Sequence, residues 1–253
     1  MQNNLQRASF WKRIAAWMFD SIIVAIIAVG VAYLLSLAFG YDSYSNKVAE
    51  AYDRYETEFG IKFNISAESY TNLSDTEKSN YDKAYSALLS DDEAIHAYSM
   101  TVNLTLLITT LALLVGIILW EFVLPLIFGN GQTLGKKIFG ICLTKPNCVK
   151  INHIQLLIRA LLGKFTVETM IPVYVLLMLV FEALNLFALL VVAIILVVQA
   201  VLLIVNENKA LIHDLFAGTV VADAASTRIF ETEDELIEYK KTCHAEEVSK
   251  KAY

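Results

Sequence analysis

The sequence is short of charge and of paired reactive groups. Only 18% of its 253 residues are charged, against about 25% in an average soluble domain. It has three cysteines, Cys142, Cys148 and Cys243. None belongs to a C-x-x-C pair, and no histidines stand at zinc spacing, so a disulfide-stapled miniprotein and a zinc finger are both excluded. The thiols are read as structurally incidental and no metal is expected. No H-E-x-x-H, G-x-S-x-G or CAAX-protease-like paired acid-and-His motif occurs, so no catalytic residue and no enzyme are expected. Gly129-Asn-Gly-Gln-Thr-Leu-Gly-Lys-Lys137 imitates a phosphate loop, but its glycine gaps are wrong and a lysine replaces the required Ser/Thr. A nucleotide cofactor is therefore excluded, and no other cofactor is indicated.

What is present is apolar, and it comes in blocks. Hydrophobic residues make up 57% of the chain and the mean hydropathy is +0.53. Four runs stand out: Ile14 to Phe39, Leu104 to Phe128, Phe165 to Phe181, and Leu186 to Val205. A spanning helix needs roughly 17–25 such residues, which the first, second and fourth supply. The third is marginal. The first run is too long for a signal-peptide core of about 7–15 residues.

Charge is segregated between the blocks. Residues 41–100 carry 12 acids and 5 bases, whereas residues 129–164 carry 6 bases and no acid. The opening stretch has Arg7, Lys12 and Arg13 and no acid. Basic, acid-free membrane edges belong in the cytoplasm. The reading is an all-α membrane protein of four transmembrane helices with both termini inside. Its parts are an N-terminus and first span (1–40), an extracytoplasmic helical loop (41–100), a second span (101–128), a basic cytoplasmic loop (129–164), third and fourth spans (165–205) and a cytoplasmic tail (206–253). Such segregation is a topology signal and gives no reason to expect nucleic acid.

The polar segments carry their own patterns. Val48, Tyr52, Tyr55 and Phe59 share a helix face, and Ser74-Asp-Thr-Glu77 is a capping box. Two helices are predicted there as an outer cap, its tyrosines read mainly as a mini-core. In the basic loop, Ile138–Thr144 and Val149–Asn152 flank Lys-Pro-Asn, which predicts a short β-hairpin. Ile151, Ile154, Ile158, Leu161 and Leu162 then form one face of an amphipathic helix, with Asn152, Gln155, Arg159 and Lys164 off it. In the tail, Val220-Val221 reads as a strand and Thr232-Glu-Asp-Glu235 as the start of an exposed acidic helix.

Three polar side chains fall within the spans at similar depth. Asp20 lies seven residues past Arg13 and Gln199 seven before Asn206, each roughly 10 Å deep, and Glu121 roughly 12 Å. Arg13, Asp20, Glu121 and Gln199 therefore form one polar layer. Either it is an interhelical bonding layer that fixes packing, or Asp20 and Glu121 share a proton or cation.

Arg13-Ile-Ala-Ala-Trp-Met-Phe-Asp20, Gly131-Gln-Thr-Leu-Gly-Lys-Lys137, and His213-Asp214 followed by Gly218-Thr219-Val220-Val221 resemble, in order, three motifs of the RDD family of bacterial membrane proteins. The resemblance spans about 7–221 and assigns the family positions to Arg13, Asp20, Asp214, Gly131, Gln132, Thr133, Gly135, Lys136 and Arg159. It implies a multi-pass protein of the bacterial inner membrane, with no catalytic activity. It also implies a transporter of an unidentified ligand. The carboxylate layer motivates a small ion or ligand coupled to protons or a cation, and four spans leave so little room for a path that a homo-oligomer in the lipid bilayer is expected. The alternative is an accessory or regulatory subunit of another membrane protein. Asp214 is read as an anchor, to Lys136 and Lys137 or to Arg13.

Overall fold

The first apolar run becomes a helix of 30 residues, α1 (Phe10–Phe39), with only Ala16, Asp20 and Ala28 buried. Large side chains such as Trp11, Trp17, Ile22, Ile26 and Leu34 face outward. In this computed structural model, residues 5–175, 186–205 and 211–251 are described. The second run lies in a longer helical stretch, Asp92–Phe128. Among the described residues, these two helices are long and apolar enough to cross a bilayer. The fourth run forms a 20-residue helix, Leu186–Val205. The turn predicted between the third and fourth runs, around 182–185, lies outside the described residues.

The chain divides into two units, one made of 30–112 and the other of the remainder. The first is all helical: the end of α1, then α2 (Tyr41–Phe59), α3 (Ala67–Thr71), α4 (Asp75–Leu88) and the start of α5 (Asp92–Ile117). The Ser74 box forms in both directions, Ser74 N donating to Glu77 Oε2 at 2.8 Å and Glu77 N to Ser74 Oγ at 3.4 Å. Asp91 opens α5 by accepting from the backbone N–H groups of Glu93 and Ala94 at 3.0 and 3.1 Å. Its other oxygen takes the Tyr55 hydroxyl at 3.1 Å and pairs with Arg54. Ala51, Leu88 and Ala94 form a small core, with Tyr55 and Phe63 against it. Tyr52, Phe63, Tyr81 and Tyr70 then contact one another edge to face. Tyr52, Tyr55, Tyr70 and Tyr81 thus contribute to this packing, whereas Tyr85 and Tyr98 are at least half exposed.

In the second unit the helix after α5 widens. Residues Ile118–Val123 form a π-helical turn before α6 (Leu124–Phe128). Pro125 is the cause. It has no N–H to offer the carbonyl of Glu121 and its ring crowds that carbonyl. The ladder slips by one, with Leu124 N bonding Leu119 O, and the slip is absorbed as a π-turn.

The basic loop differs from the hairpin predicted for it. β1 (Ile141–Thr144) pairs antiparallel with β2 (Val220–Asp223) in the tail, Ile141 opposite Asp223 and Thr144 opposite Val220. The Lys-Pro-Asn turn does form, closed by Cys148 N to Lys145 O at 2.9 Å, and Lys145 N and the Thr144 hydroxyl both donate to Val149 O across it, but no hairpin ladder follows. Both edges of β1 are already occupied: Leu143 N bonds Asn130 O and Gln132 Nε2 bonds Ile141 O. On the far edge of β2, Ala8 N bonds Val221 O and Asp223 N bonds Gln6 O. The N-terminus, the loop and the tail therefore meet in one sheet. Beneath it Ala8, Ala16, Ile141, Leu143, Ile151, Leu156 and Val221 form the core.

The amphipathic segment is also corrected. α8 (His153–Ile158) opens with a capping box between Asn152 and Gln155. It passes directly into a second π-helical segment, Arg159–Glu168. Ile154 and Leu162 face outward as expected, but Arg159, placed off the apolar face by a 3.6-residue period, is buried. The helix breaks at Met170, which has φ 56°, and resumes over 171–175 with Pro172 in its first turn, where a missing N–H costs nothing. The third apolar run is therefore interrupted near its start, and its end lies outside the described residues. α9 is Leu186–Val205, α10 is Ile212–Ala217 and α11 is Glu233–Lys251. α11 is mostly exposed, but Leu236 and Tyr239 pack with Phe230 against Cys148 and Val149.

Candidate functional site: a buried charge network

Thr133 caps the short helix α7 (Leu134–Ile138) through its hydroxyl, which accepts from Lys136 N at 3.3 Å. The same hydroxyl donates to Asp20 Oδ2 at 2.5 Å. Asp20 Oδ1 accepts from Gly135 N at 2.9 Å and from Trp120 Nε1 at 2.8 Å. Asp20 is 2% exposed, and all three of these donors are neutral. A Cβ at Gly135 would stand 2.8 Å from Asp20 Cγ and 2.7 Å from the Ala16 carbonyl oxygen. The Thr-Leu-Gly triplet thus supplies a hydroxyl, an N–H and the absence of a side chain. Gly131, at φ 61°, turns the chain so that Gln132 can reach β1.

Glu121 sits on the first π-turn. Lys136 Nζ reaches its Oε2 at 2.6 Å and Lys164 Nζ its Oε1 at 3.2 Å. Lys164 also meets Glu168 at 3.3 Å. Glu168 in turn lies 2.7 Å from His213 Nδ1 and accepts from Trp17 Nε1 at 3.3 Å. Asp214 pairs with Arg159 and with Arg13, the latter at 3.2 Å, and takes Leu211 N at 3.2 Å. Arg159 Nη1 also donates to Thr219 Oγ1 at 3.1 Å. Three acids, Glu121, Glu168 and Asp214, and four bases, Arg13, Lys136, Arg159 and Lys164, are thus interlocked, with Asp20 beside them on neutral donors. Desolvating them costs several kcal/mol per ion, so the network is weak evidence for stability, whereas breaking one pair costs about 3–5 kcal/mol.

The low dielectric also acts on groups in the loop and tail. Burial pushes the Lys136 ammonium below the ordinary lysine range in spite of Glu121. Burial, with Arg159 adding to it, lowers His213 to about 4 against the pull of Glu168. His213 is therefore neutral near pH 7.

A cavity of about 380 Å³ opens beside this network. Arg13, Lys136, Arg159, Lys164, Asp20, Glu168 and His213 contribute its polar side, and Phe10, Ile14, Trp17 and Leu211 are among its apolar walls. Among the described residues, no group of three or more His, Cys, Asp or Glu side chains is placed to hold a metal.

Asp20 and Glu121 are not brought together over a shared proton or cation. Each has its own donors. Arg13 and Asp20 serve different partners, and Lys136 goes to Glu121. Asp214 anchors to Arg13 and Arg159, and Lys137 lies over the Phe128 ring at 4.5 Å. The Gln199 side chain lies outside the described residues.

The family model described as the RDD family matches residues 7–218. The chain belongs to the RDD family. No curated protein and no solved structure matches it. The RDD match includes Arg13, Asp20, the Gly131–Lys136 loop, Arg159 and Asp214, and it ends just short of β2.

Sequence reasoning missed Trp120, Lys164, Glu168, His213 and Thr219 as members of this RDD site. Arg159, Lys164 and Glu168 are spaced by five and four residues. Lys164 and Glu168, four apart, share a face on an α-helix as well, but Arg159, five before Lys164, falls on another face there and is brought alongside only where bonds run i to i+5. Neighbours on a helix diverge, yet His213 Nε2 stands 3.5 Å from Asp214 Oδ1. Gly163 makes this approach possible, since a Cβ there would fall 1.9 Å from His213 Cβ.

Proposed function

We propose that this RDD family protein is a four-span inner-membrane transporter of a small ion or ligand, with the cavity beside the charge network as its binding site. The cavity carries this reading: seven polar or charged side chains converge on about 380 Å³, within the range of about 300–1,000 Å³ usual for ligand sites. Ionisable groups at membrane depth mark substrate and proton pathways by default.

Strand pairing supports the topology. Residues 6–8, β1 and β2 share one sheet, so they lie on one side of the membrane. The chain must then cross an even number of times between 8 and 141 and again between 144 and 220. α1 with Asp92–Phe128 gives the first pair of crossings. The third apolar run with α9 gives the second. The basic loop favours the cytoplasm as that side. Four helices leave little room for a complete path, so a homo-oligomer is the expected working form.

Proton coupling is assigned to Glu168 with His213, which border the cavity, in place of Asp20 with Glu121. The test is a flux assay in proteoliposomes containing an internal pH dye. Pulses of Na⁺, K⁺, Li⁺ and decanesulfonate are added outside, with empty liposomes as reference. A protein-dependent pH change lost in Glu168→Gln and retained in Asp20→Asn is expected. A flat trace for folded, inserted wild type overturns transport. Equal loss in both variants overturns the assignment to Glu168.

A further inference from the structure

The charges on the cavity wall are not balanced. Arg13, Lys136, Arg159 and Lys164 line it against Asp20 and Glu168. The carboxylates that balance the network as a whole, Glu121 and Asp214, pair with these bases but are not part of the lining. Asp20 is saturated by the Trp120, Thr133 and Gly135 donors. An entering ligand therefore meets an excess of donors and positive charge. Arg159 is 4% exposed, and its Nε is buried without a hydrogen-bond acceptor. A buried guanidinium N–H left unmatched is costly and fits an acceptor oxygen brought by a ligand. The rest of the lining includes the apolar side chains of Phe10, Ile14, Trp17 and Leu211, and Trp17 adjoins the charged part through its bond to Glu168. The site thus offers both charge for an anion and apolar surface for hydrocarbon.

We propose that the cavity binds an anionic amphiphile, a sulfonate, carboxylate or phosphate head directed to Arg159 and Lys164 with a short apolar chain along Trp17 and Ile14. This deepens the transport reading by naming a substrate class, and it is tested by binding alone. The shared chemistry is an anionic oxygen head on an alkyl chain. It can come from a free alkyl anion or from the headgroup of an anionic lipid.

Native mass spectrometry of the full chain in mild detergent counts bound molecules. The probes are decanesulfonate, decyltrimethylammonium, inorganic phosphate, phosphatidylglycerol and phosphatidylcholine. One decanesulfonate per chain, retained at least tenfold better than the cation of equal length, is expected. Phosphatidylglycerol held over phosphatidylcholine in competition with decanesulfonate assigns the site to a lipid. Decanesulfonate held with no preference between the lipids assigns it to a free alkyl anion. Arg159→Lys keeps the charge toward Asp214 and removes Nε, so retention should fall about tenfold. Ile14→Trp fills the apolar part without altering a charge and should abolish retention. Equal retention of both decyl ions, or full retention by Ile14→Trp, overturns the proposal. Saturation by inorganic phosphate alone overturns the need for a chain. Binding without flux in the proteoliposomes removes the transport reading and leaves this one; flux without binding does the reverse.

Discussion

Asp20→Asn keeps the shape of the side chain and most of its acceptors. The amide oxygen can still take Trp120 and Gly135, and the Thr133 hydroxyl can rotate to accept. A loss of about 1–2 kcal/mol is expected, against a larger loss for Asp20→Ala, which leaves three buried donors without a partner. Thermal melts in detergent read both. Asp214→Asn is a harsher change, because Arg13 and Arg159 both lean on that carboxylate. Two guanidinium groups lose their counter-charge, and about 3–5 kcal/mol should go with them; an unchanged melting curve would remove the anchoring role. His213 sets a pH dependence. Its pKa is about 4 in the folded protein against an ordinary 6.5, so between these values the unfolded chain binds more protons. The contribution is fully present above pH 6.5 and is lost as pH falls toward 4. Melting temperature should drop across that window in wild type, and the drop should flatten in His213→Gln.

Two π-helical segments hold four network members, Glu121 on the first and Arg159, Lys164 and Glu168 on the second. Their shared reliance on close approach makes glycine the sensitive position. Gly163→Ala puts a methyl group into His213, which must move; a loss of at least 1–3 kcal/mol is expected from such overpacking. Gly30→Ala in α1 meets nothing within 4 Å and should be neutral or stabilising by about 0.5–1 kcal/mol. Similar losses from both in detergent melts would sink this argument. These same elements mark how far the sequence could be read. The long apolar helices, the Ser74 box and the Val48–Phe59 helix face follow from local periodicity and capping, and they are seen. Asp20, Glu121 and Arg13 stand out because a charge is expensive in an apolar run. Their partners do not stand out. A 3.6-residue period sets Arg159 and Lys164 on different faces, and only the π-helical segment brings them to one side. The mate of β1 lies in the tail, so a local turn signal at Lys145-Pro-Asn pointed to the nearest apolar run instead. Pro125 was the one visible clue to a widened helix.

The unit made of 1–29 and 113–253 is tied together at the sheet where the N-terminus, the basic loop and the tail meet. The RDD family match stops at residue 218, yet β2 covers β1 only at Val220–Asp223. The matched segment is thus completed by a strand just beyond it, and Cys142 reports on this. Its thiol is fully buried, lies 3.7 Å from the Ala222 carbonyl oxygen, and is pushed up to about 11 by burial. At neutral pH very little thiolate is available for alkylation. In a Cys148→Ser/Cys243→Ser background, maleimide should label the intact protein slowly. Removing 233–253 takes away α11 and leaves β2 in place, so the rate should stay low. Removing 219–253 strips the edge of β1, and labelling should rise at least tenfold as the thiol returns toward its ordinary range. The comparison distinguishes two roles for the tail. If α11 alone protects Cys142, the shorter deletion already speeds labelling, and the strand is not what closes the inner face. If β2 protects it, only the longer deletion does. That result would also tie the sheet to the site, because Thr219, which accepts from Arg159, leaves with the same segment.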